Sequence, residues 1–471
     1  MENGKPTWLV AVLDLESAGE PTSYFMPLAL AWEERDEEER VRNLSTAAVA
    51  KVRQQANVGV LGDAFADELF CRSIVAAIAA RKEIAMTQGK LQFRPTDAFA
   101  RLAGGDFDAL PVARPRGSSS NTVVSLGERL MLKGYRRLRT GVNPELEMGL
   151  YLTDVAHFAN CAPLAGSLEH IGNDGEVRLL AILQGYVANQ GDGWGYSLEY
   201  LLRHLEQHRT APAGDAVPAN AHEAYLAMIR VLAVRTAELH KALARPSPNA
   251  AFSPQTLTRA DVDAYRGRAA DAARDALGML ASNLEQVPAA DRDRANAVLA
   301  QRDKILARLE AMTPQTPQGL KSRIHGDYHL GQVLVTRNDF VIIDFEGEPG
   351  HSLEERCAKH SPLRDIAGML RSFSYVQQSA LRKVAHVEAE AAKLAPLARA
   401  WEVETRAAFL AAYEAAVRDS KIHGPEALRA GGGLLGLFEL EKALYELSYE
   451  LGNRPNWAGI PMQGILDWVA A

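Results

Sequence analysis

The sequence predicts an α+β fold in three parts: an N-terminal α+β cap over residues 1–110, a lobe built on a β-sheet over residues 111–190, and a mostly helical lobe over residues 191–471. Short apolar runs separated by turn residues fill the first two parts, as in strands. After residue 191, apolar residues recur every three or four positions, as in amphipathic helices. A length of 471 residues also allows about three compact parts at roughly 150 residues each.

Composition excludes several classes of protein. The chain has 52 Lys and Arg against 59 Asp and Glu, a net charge of −7, and no long basic block, so we expect no binding to nucleic acid. The three cysteines form no CxxC pair, which favours a reduced, cytoplasmic protein. No apolar run approaches the roughly 20 residues that span a bilayer, so we expect no membrane association.

The cap is predicted from three strand-like runs and one helix. The runs are WLVAVLDL, SYFMPLALAW and KLQFRP, and apolar residues at helical spacing predict a helix from Asp67 to Glu83. The acidic run EERDEEER, residues 33–40, is interpreted as a solvated turn or helix end.

The second part begins with a loop rich in Pro, Gly and Ser, PVARPRGSSSN, which the strand-like segments TVVSLG and ERLMLKGYR follow. Asn143, Pro144 and Glu145 supply a helix cap, a proline at the first helical position and an acid in the first turn, which predicts a helix over residues 142–158. Two further strands, APLAGSLEHIG and VRLLAILQGYV, complete a small sheet.

Residues 324–349, IHGDYHLGQVLVTRNDFVIIDFEGEP, carry the chemistry. Asp327 is followed five residues later by Gln332, and a predicted hairpin then leads to Asp344. Phosphoryl transfer needs this inventory: one Asp to accept the proton of the attacking hydroxyl, and an amide oxygen with a second Asp to hold Mg²⁺.

The motifs HGDYHLGQ and DFE resemble those of the aminoglycoside-phosphotransferase and choline-kinase branch of the kinase superfamily, and more particularly the maltokinases. The resemblance extends through SPLRDIAGMLRSFSY and ELSYELGNRPNWAGIPM. It implies a bilobal protein-kinase-like fold and ATP- and Mg²⁺-dependent phosphorylation of maltose to maltose 1-phosphate, in the route from trehalose to glycogen. It also implies that Asp327 is the catalytic base and that Gln332 and Asp344 are the metal ligands.

A kinase also needs groups that bind the nucleotide. Lys133 is the candidate cation for the phosphates, with Glu147 preferred over Glu145 as its carboxylate partner. The loop over the phosphates and the backbone beside adenine are expected at two further sets of residues: Ser118, Ser119, Ser120, Asn121 and Thr122 for the loop, and Gln184, Tyr186 and Val187 for adenine.

Sugar recognition calls for polar groups and aromatic faces. The candidates near the C-terminus and in the catalytic loop are Tyr445, Glu446, Tyr449, Glu450, Arg454 and His329, with Asp327 itself touching the substrate. On a helix the two tyrosines share one face and the two glutamates share another. The alternative is that the tyrosines are core and the glutamates a solvated face. Arg364 and Asp365 are predicted to form an ion pair that supports the catalytic loop.

Two other functions remain open. An amino sugar such as glucosamine, or an aminoglycoside, would be phosphorylated by the same chemistry. A protein of a different class, an inactive kinase-like subunit that docks on trehalose synthase, is the second alternative, and such docking is also compatible with an active kinase.

Overall fold

The computed structural model describes residues 8–16, 22–34, 37–114, 120–209, 218, 220–312, 318–424, 427–428 and 433–470. The strands in these residues are β1 Trp8–Leu15, β2 Thr22–Trp32, β3 Ala48–Gln54, β4 Asn57–Asp63, β5 Glu83–Ala85, β6 Lys90–Pro95, β7 Val112–Ala113, β8 Thr122–Leu126, β9 Leu130–Gly134, β10 Arg137–Leu138, β11 Leu164–Ile171, β12 Val177–Gly185, β13 Gln255–Thr256, β14 Leu320–Lys321, β15 Val333–Thr336 and β16 Asp339–Ile342. The helices are α1 Glu38–Ser45, α2 Glu68–Ala79, α3 Phe99–Ala103, α4 Pro144–Leu150, α5 Gly193–Arg209, α6 Glu223–Leu243, α7 Arg259–Ser282, α8 Arg292–Ala300, α9 Arg302–Ala311, α10 Leu353–Cys357, α11 Leu363–Val384, α12 Glu388–Val417, α13 Leu434–Asn453 and α14 Gly459–Ala470.

The chain forms two compact units, residues 1–188 with 350–356, and residues 189–349 with 357–471. The first unit holds two antiparallel sheets, one in the order β1-β2-β4-β3 with β10 also paired to β2, the other in the order β5-β6-β11-β12-β9-β8-β7. β6, the run KLQFRP that was predicted as a strand of the cap, therefore belongs to the sheet of the second predicted part. β5 pairs with it and begins at Glu83, where a helix end was expected. The three-part division stays a prediction.

Apolar residues of both sheets and of α2 build the core of the first unit. Phe65, which is 1% exposed, meets Phe25 and Phe70 edge to face. The predicted cap of α4 is present: Asn143 accepts hydrogen bonds from the amides of Glu145 and Leu146 at 3.0 and 3.1 Å. This cap fixes where α4 begins, and thereby which of its acids faces the sheet.

The second unit is helical, as predicted. α11 packs against α5, α12 and α13, and α6 packs along α12. The fully buried aromatic rings among these helices include Tyr225, Trp401 and Tyr413. A two-residue turn joins β15 to β16, and its Arg337 has a positive φ of 52°, the region that a tight hairpin turn requires. No helix among the described residues is long and apolar enough to cross a membrane.

Candidate active site

One buried carboxylate, that of Asp365, holds the backbone of the loop His325-Gly326-Asp327 in place. Asp365, near the start of α11, accepts the backbone amides of His325 and Gly326 at 2.8 and 2.9 Å. The His325 ring, 1% exposed, donates from Nε2 to the carbonyl of Ile343 at 2.9 Å. Asp327 therefore follows a backbone that is anchored both to α11 and to the residue after β16.

Asp365 is itself held by a buried hydrogen-bond chain. Its Oδ2 lies 3.2 Å from Nε2 of His240 on α6, and Nδ1 of His240 lies 2.8 Å from the hydroxyl of Tyr413 on α12. Burial alone would raise the pKa of Asp365, but the hydrogen bonds from His240 and from the Gly326 amide hold that pKa below its usual value. The carboxylate thus stays charged where the loop needs an acceptor.

The predicted ion pair between Arg364 and Asp365 is wrong. The Arg364 guanidinium instead meets Glu441 of α13 at 3.1 Å, whereas Asp365 supports the loop through backbone amides. Adjacent residues on a helix point about 100° apart, so one faces the buried loop and the other faces α13.

The Asp327 carboxylate is 20% exposed and has two basic neighbours. Nζ of Lys442 lies 3.5 Å from Oδ1, and Nε2 of His329 lies 3.9 Å from Oδ2. Nδ1 of His329 accepts the amide of Gly331 at 3.0 Å, so the neutral imidazole carries its proton on Nε2, which faces Asp327. Burial lowers the pKa of His329, although the Asp327 carboxylate opposes that shift.

Gln332 and Asp344 lie side by side, as the sequence predicted for a metal site. Nε2 of Gln332 donates to Oδ2 of Asp344 at 3.0 Å, and the Ile343 amide donates to the Gln332 carbonyl at 3.0 Å. Asp344 has a positive φ of 66°. Both side chains carry the oxygen ligands that Mg²⁺ prefers, and a half-turn of the Gln332 amide would present its oxygen. The donor set therefore fits this cation, and the two ligand roles stay a prediction.

In the first unit, Lys133 of β9 meets an acid of α4. Its Nζ lies 2.8 Å from Oε2 of Glu145, and the hydroxyl of Tyr135 donates to the same carboxylate. The structure thus gives this contact to Glu145 and corrects the preference for Glu147. With α4 capped at Asn143, Glu145 lies on the inward face and is 2% exposed, whereas Glu147 is only partly buried.

The predicted phosphate loop is described only in part. Ser118 and Ser119 lie outside the described residues, Ser120 is exposed, and Asn121 is half-buried. Thr122 begins β8, and its hydroxyl accepts a hydrogen bond from Nε of Arg136 at 2.7 Å. A role of these residues at the phosphates stays a prediction.

The strand expected beside adenine ends within the sheet. Gln184 pairs with strands on both sides, and the amides of Gly185 and Tyr186 donate to the carbonyls of Pro163 and Arg129 at 2.8 and 2.7 Å. The Tyr186 amide is therefore engaged by the protein itself. An adenine contact through Gln184, Tyr186 or Val187 stays a prediction, and for Tyr186 it would have to use another group than the amide.

The predicted sugar-binding residues of α13 divide by burial. Tyr445 and Tyr449 are 37% and 46% exposed, with ring centroids 6.5 Å apart. Glu446 and Glu450 are 8% and 1% exposed. The alternative of core tyrosines and solvated glutamates is therefore wrong on both counts, although each pair does share a face of the helix.

Each of the two buried glutamates forms an ion pair with an arginine. Glu446 accepts Nε and Nη2 of Arg371 at 3.0 and 2.7 Å, and Glu450 accepts Arg454 at 2.9 and 2.6 Å. The hydroxyl of Tyr375 also donates to Glu450 at 3.2 Å. Glu446 and Glu450 therefore have cationic partners within the protein, whereas the Arg454 side chain is 51% exposed. Direct sugar contacts by Glu446, Glu450 and Arg454 stay a prediction.

The chain is similar to known proteins both in sequence and in structure. A model of the phosphotransferase enzyme family, APH, matches residues 156–430, more than half of the chain. The chain belongs to this phosphotransferase enzyme family. The glucosamine kinase of Streptacidiphilus jiangxiensis is 24% identical over 366 residues, which cover 76% of this chain and 74% of that protein. The glucosamine kinase of Mycolicibacterium smegmatis (strain ATCC 700084 / mc(2)155) is 26% identical over 289 residues, 60% of this chain and 61% of that protein.

A solved structure of a glucosamine kinase in complex with glucosamine, ADP and inorganic phosphate superimposes with a TM-score of 0.63 and 21% identity, covering 98% of this chain and 93% of that one. A second crystal form of a glucosamine kinase gives a TM-score of 0.62 with 21% identity and coverage of 99% and 94%. The predicted α+β, protein-kinase-like fold is thereby confirmed. Membership of the maltokinases, within the phosphotransferase enzyme family, stays a prediction.

Two neighbours of Asp327 in the candidate site were not predicted from the sequence. Glu348 and Lys442 face each other at 2.6 Å beside Asp327. Lys442 lies three residues before Tyr445 and seven before Tyr449, which is the spacing of one helix face. That spacing was the available signal, because a basic residue in line with two candidate sugar-binding tyrosines belongs to the same surface.

Proposed function

We propose that this protein is an ATP-dependent sugar kinase. The observation that carries the proposal is the anchored loop: Asp327 stands on a backbone fixed by Asp365, and the Gln332 and Asp344 side chains, 3.0 Å apart, follow on the same hairpin. A fixed carboxylate with an adjacent pair of oxygen ligands is what phosphoryl transfer to a hydroxyl requires.

In this proposal each residue has one task. Asp327 orients the sugar hydroxyl and accepts its proton. Gln332 and Asp344 would hold Mg²⁺, which neutralises phosphate charge when it is bound. Lys133, held by Glu145 at 2.8 Å, would bind the nucleotide phosphates.

Two acceptors have support. The relatives carry the name glucosamine kinase, which supports an amino sugar, although about one residue in four is shared and the acceptor contacts can differ. The segment ELSYELGNRPNWAGIPM, which contains Tyr449 and Trp457, resembles the maltokinases and supports maltose. The exposed tyrosine rings suit the C–H face of either sugar. Docking on trehalose synthase stays a prediction.

The proposal is tested by measuring ADP release with ATP and Mg²⁺ over a panel of maltose, glucosamine and kanamycin, followed by NMR identification of the product. Phosphorylation of a sugar hydroxyl supports the proposal. Transfer to kanamycin alone would make the protein an aminoglycoside kinase. Failure to release ADP with every acceptor would support the inactive subunit.

A further inference from the structure

Asp327, the residue proposed to contact the acceptor sugar, has a cation of the protein itself as a neighbour, the ammonium group of Lys442. Nζ of Lys442, on α13, lies 2.6 Å from Oε1 of Glu348 and 3.5 Å from Oδ1 of Asp327. The same ammonium lies 5.0 Å from the centroid of the Tyr445 ring. Lys442 therefore joins the proposed base to the tyrosines of α13.

This ammonium is charged at neutral pH. Burial by itself lowers the pKa of Lys442, but the carboxylates of Glu348 and Asp327 more than offset burial and raise that pKa above its ordinary value. With two carboxylates and one ammonium, the group Asp327–Glu348–Lys442 keeps one net negative charge in place of two.

Glucosamine carries its amine on C2, next to the anomeric carbon, so when Asp327 accepts the proton of the anomeric hydroxyl, the ammonium of this sugar lies beside the same group. The carboxylates that would stabilise its ammonium already accept Lys442, and two ammonium groups so close repel one another. A neutral sugar meets no such conflict, because its hydroxyls can accept from Lys442 and donate to Glu348.

We propose that Lys442 is a specificity residue that favours neutral sugars over cationic amino sugars as acceptors. The inference rests on the proposed kinase function and adds the acceptor's charge to it. The relatives are named glucosamine kinases, which suggests a cationic acceptor, whereas this inference gives the present chain a neutral one. The residue responsible lies on α13 and not in the loop that carries Asp327.

The test compares kcat/KM for maltose, N-acetylglucosamine and glucosamine, at a pH where the amine of glucosamine is protonated. N-acetylglucosamine keeps the ring of glucosamine but removes its charge. We expect the wild type to prefer a neutral sugar to glucosamine by at least tenfold. Lys442→Gln should raise the ratio of glucosamine to neutral-sugar activity by about tenfold, the worth of ~1.4 kcal/mol.

Two control variants isolate charge from packing. Lys442→Arg keeps the cation and should keep the wild-type ratio, even if overall activity falls. Lys321→Gln removes another partly buried lysine, whose carboxylate partner is Asp261 at 2.6 Å, and should leave the ratio unchanged.

Calorimetric binding of the same three sugars accompanies the kinetics, so that the inference is judged even without turnover. No turnover with any sugar would contradict the proposed function. Even then, a binding preference that shifts towards glucosamine in Lys442→Gln would support the role of Lys442. A wild type that prefers glucosamine, or a ratio that Lys442→Gln leaves unchanged in both assays, overturns the inference.

Discussion

The catalytic loop and helix α13 hold their exposed side chains in opposite ways. Asp327 is positioned through the two residues before it: the amides of His325 and Gly326 donate to the buried Asp365 of α11 at 2.8 and 2.9 Å. Tyr445 and Tyr449 stand on the outer face of a helix whose inner face is held by ion pairs. The difference teaches that a change in the loop's support should alter folding and catalysis together, whereas a change in the tyrosines should alter binding alone.

Replacement of Asp327 should have the largest effect on activity. Asp327→Asn keeps the shape but cannot accept a proton, so kcat should fall by about 10²–10⁴-fold, the usual worth of a positioned base. ATP binding should stay nearly unchanged, as measured by titration calorimetry. Retention of wild-type kcat would remove Asp327 from its proposed role.

The support of the loop is tested at Asp365. Asp365→Asn removes the charge that two amides and His240 share, and we expect the free energy of unfolding to fall by about 2–4 kcal/mol, together with kcat. Urea denaturation measures the first effect.

Asp339→Asn is the matched control, because Asp339 pairs with Arg235 at 2.7 Å while remaining 36% exposed. Its loss should cost less than about 1 kcal/mol. If the two variants unfold alike, the loop does not depend on its buried anchor.

On α13 the effect should be confined to binding. Tyr449→Ala removes a ring that is 46% exposed, so the KM for the sugar should rise about fivefold, equivalent to ~1 kcal/mol, while the midpoint of thermal unfolding changes little. A large drop in that midpoint with an unchanged KM would show that Tyr449 serves packing.

The smallest expected effect concerns pH and His329. The folded-state pKa of His329 lies below its usual value, so the unfolded chain binds this proton first on acidification. Stability should therefore fall as the pH drops below about 6.5, the ordinary histidine pKa. Asn at this position still caps the Gly331 amide but does not titrate, so His329→Asn should flatten the dependence measured by urea denaturation from pH 8 to pH 5.

Short-range patterns predicted the hairpin of residues 333–342 and the contact between Gln332 and Asp344, while the catalytic and metal-binding roles stay predictions. Asp327, Gln332 and Asp344 lie within 18 residues of one another, so one loop and one hairpin are enough to assemble them. The strand β3 was missed for a physical reason: most of its residues are exposed, so VAKVRQ shows no clear alternation of apolar and polar positions.

Long-range contacts decided what the sequence could not. Helical spacing separated the tyrosines of α13 from its glutamates, but the partner that buries Glu446 is Arg371, 75 residues away. The choice between Glu145 and Glu147 depended on how α4 meets the sheet, since both acids lie in its first turn. Periodicity gives the faces of a helix but not the neighbours of each face.

The chain from Tyr413 through His240 to Asp365 ties the loop to helices α12, α6 and α11. The amide hydrogen of His325, a residue that is 1% exposed, is donated to Asp365 in the interior of the second unit. Exchange of this hydrogen with deuterated solvent therefore requires the helices around Asp365 to open, and it should be among the slowest of the protein. The exchange rate of the His325 amide thus reports how often the helices of the second unit open around the loop that carries Asp327.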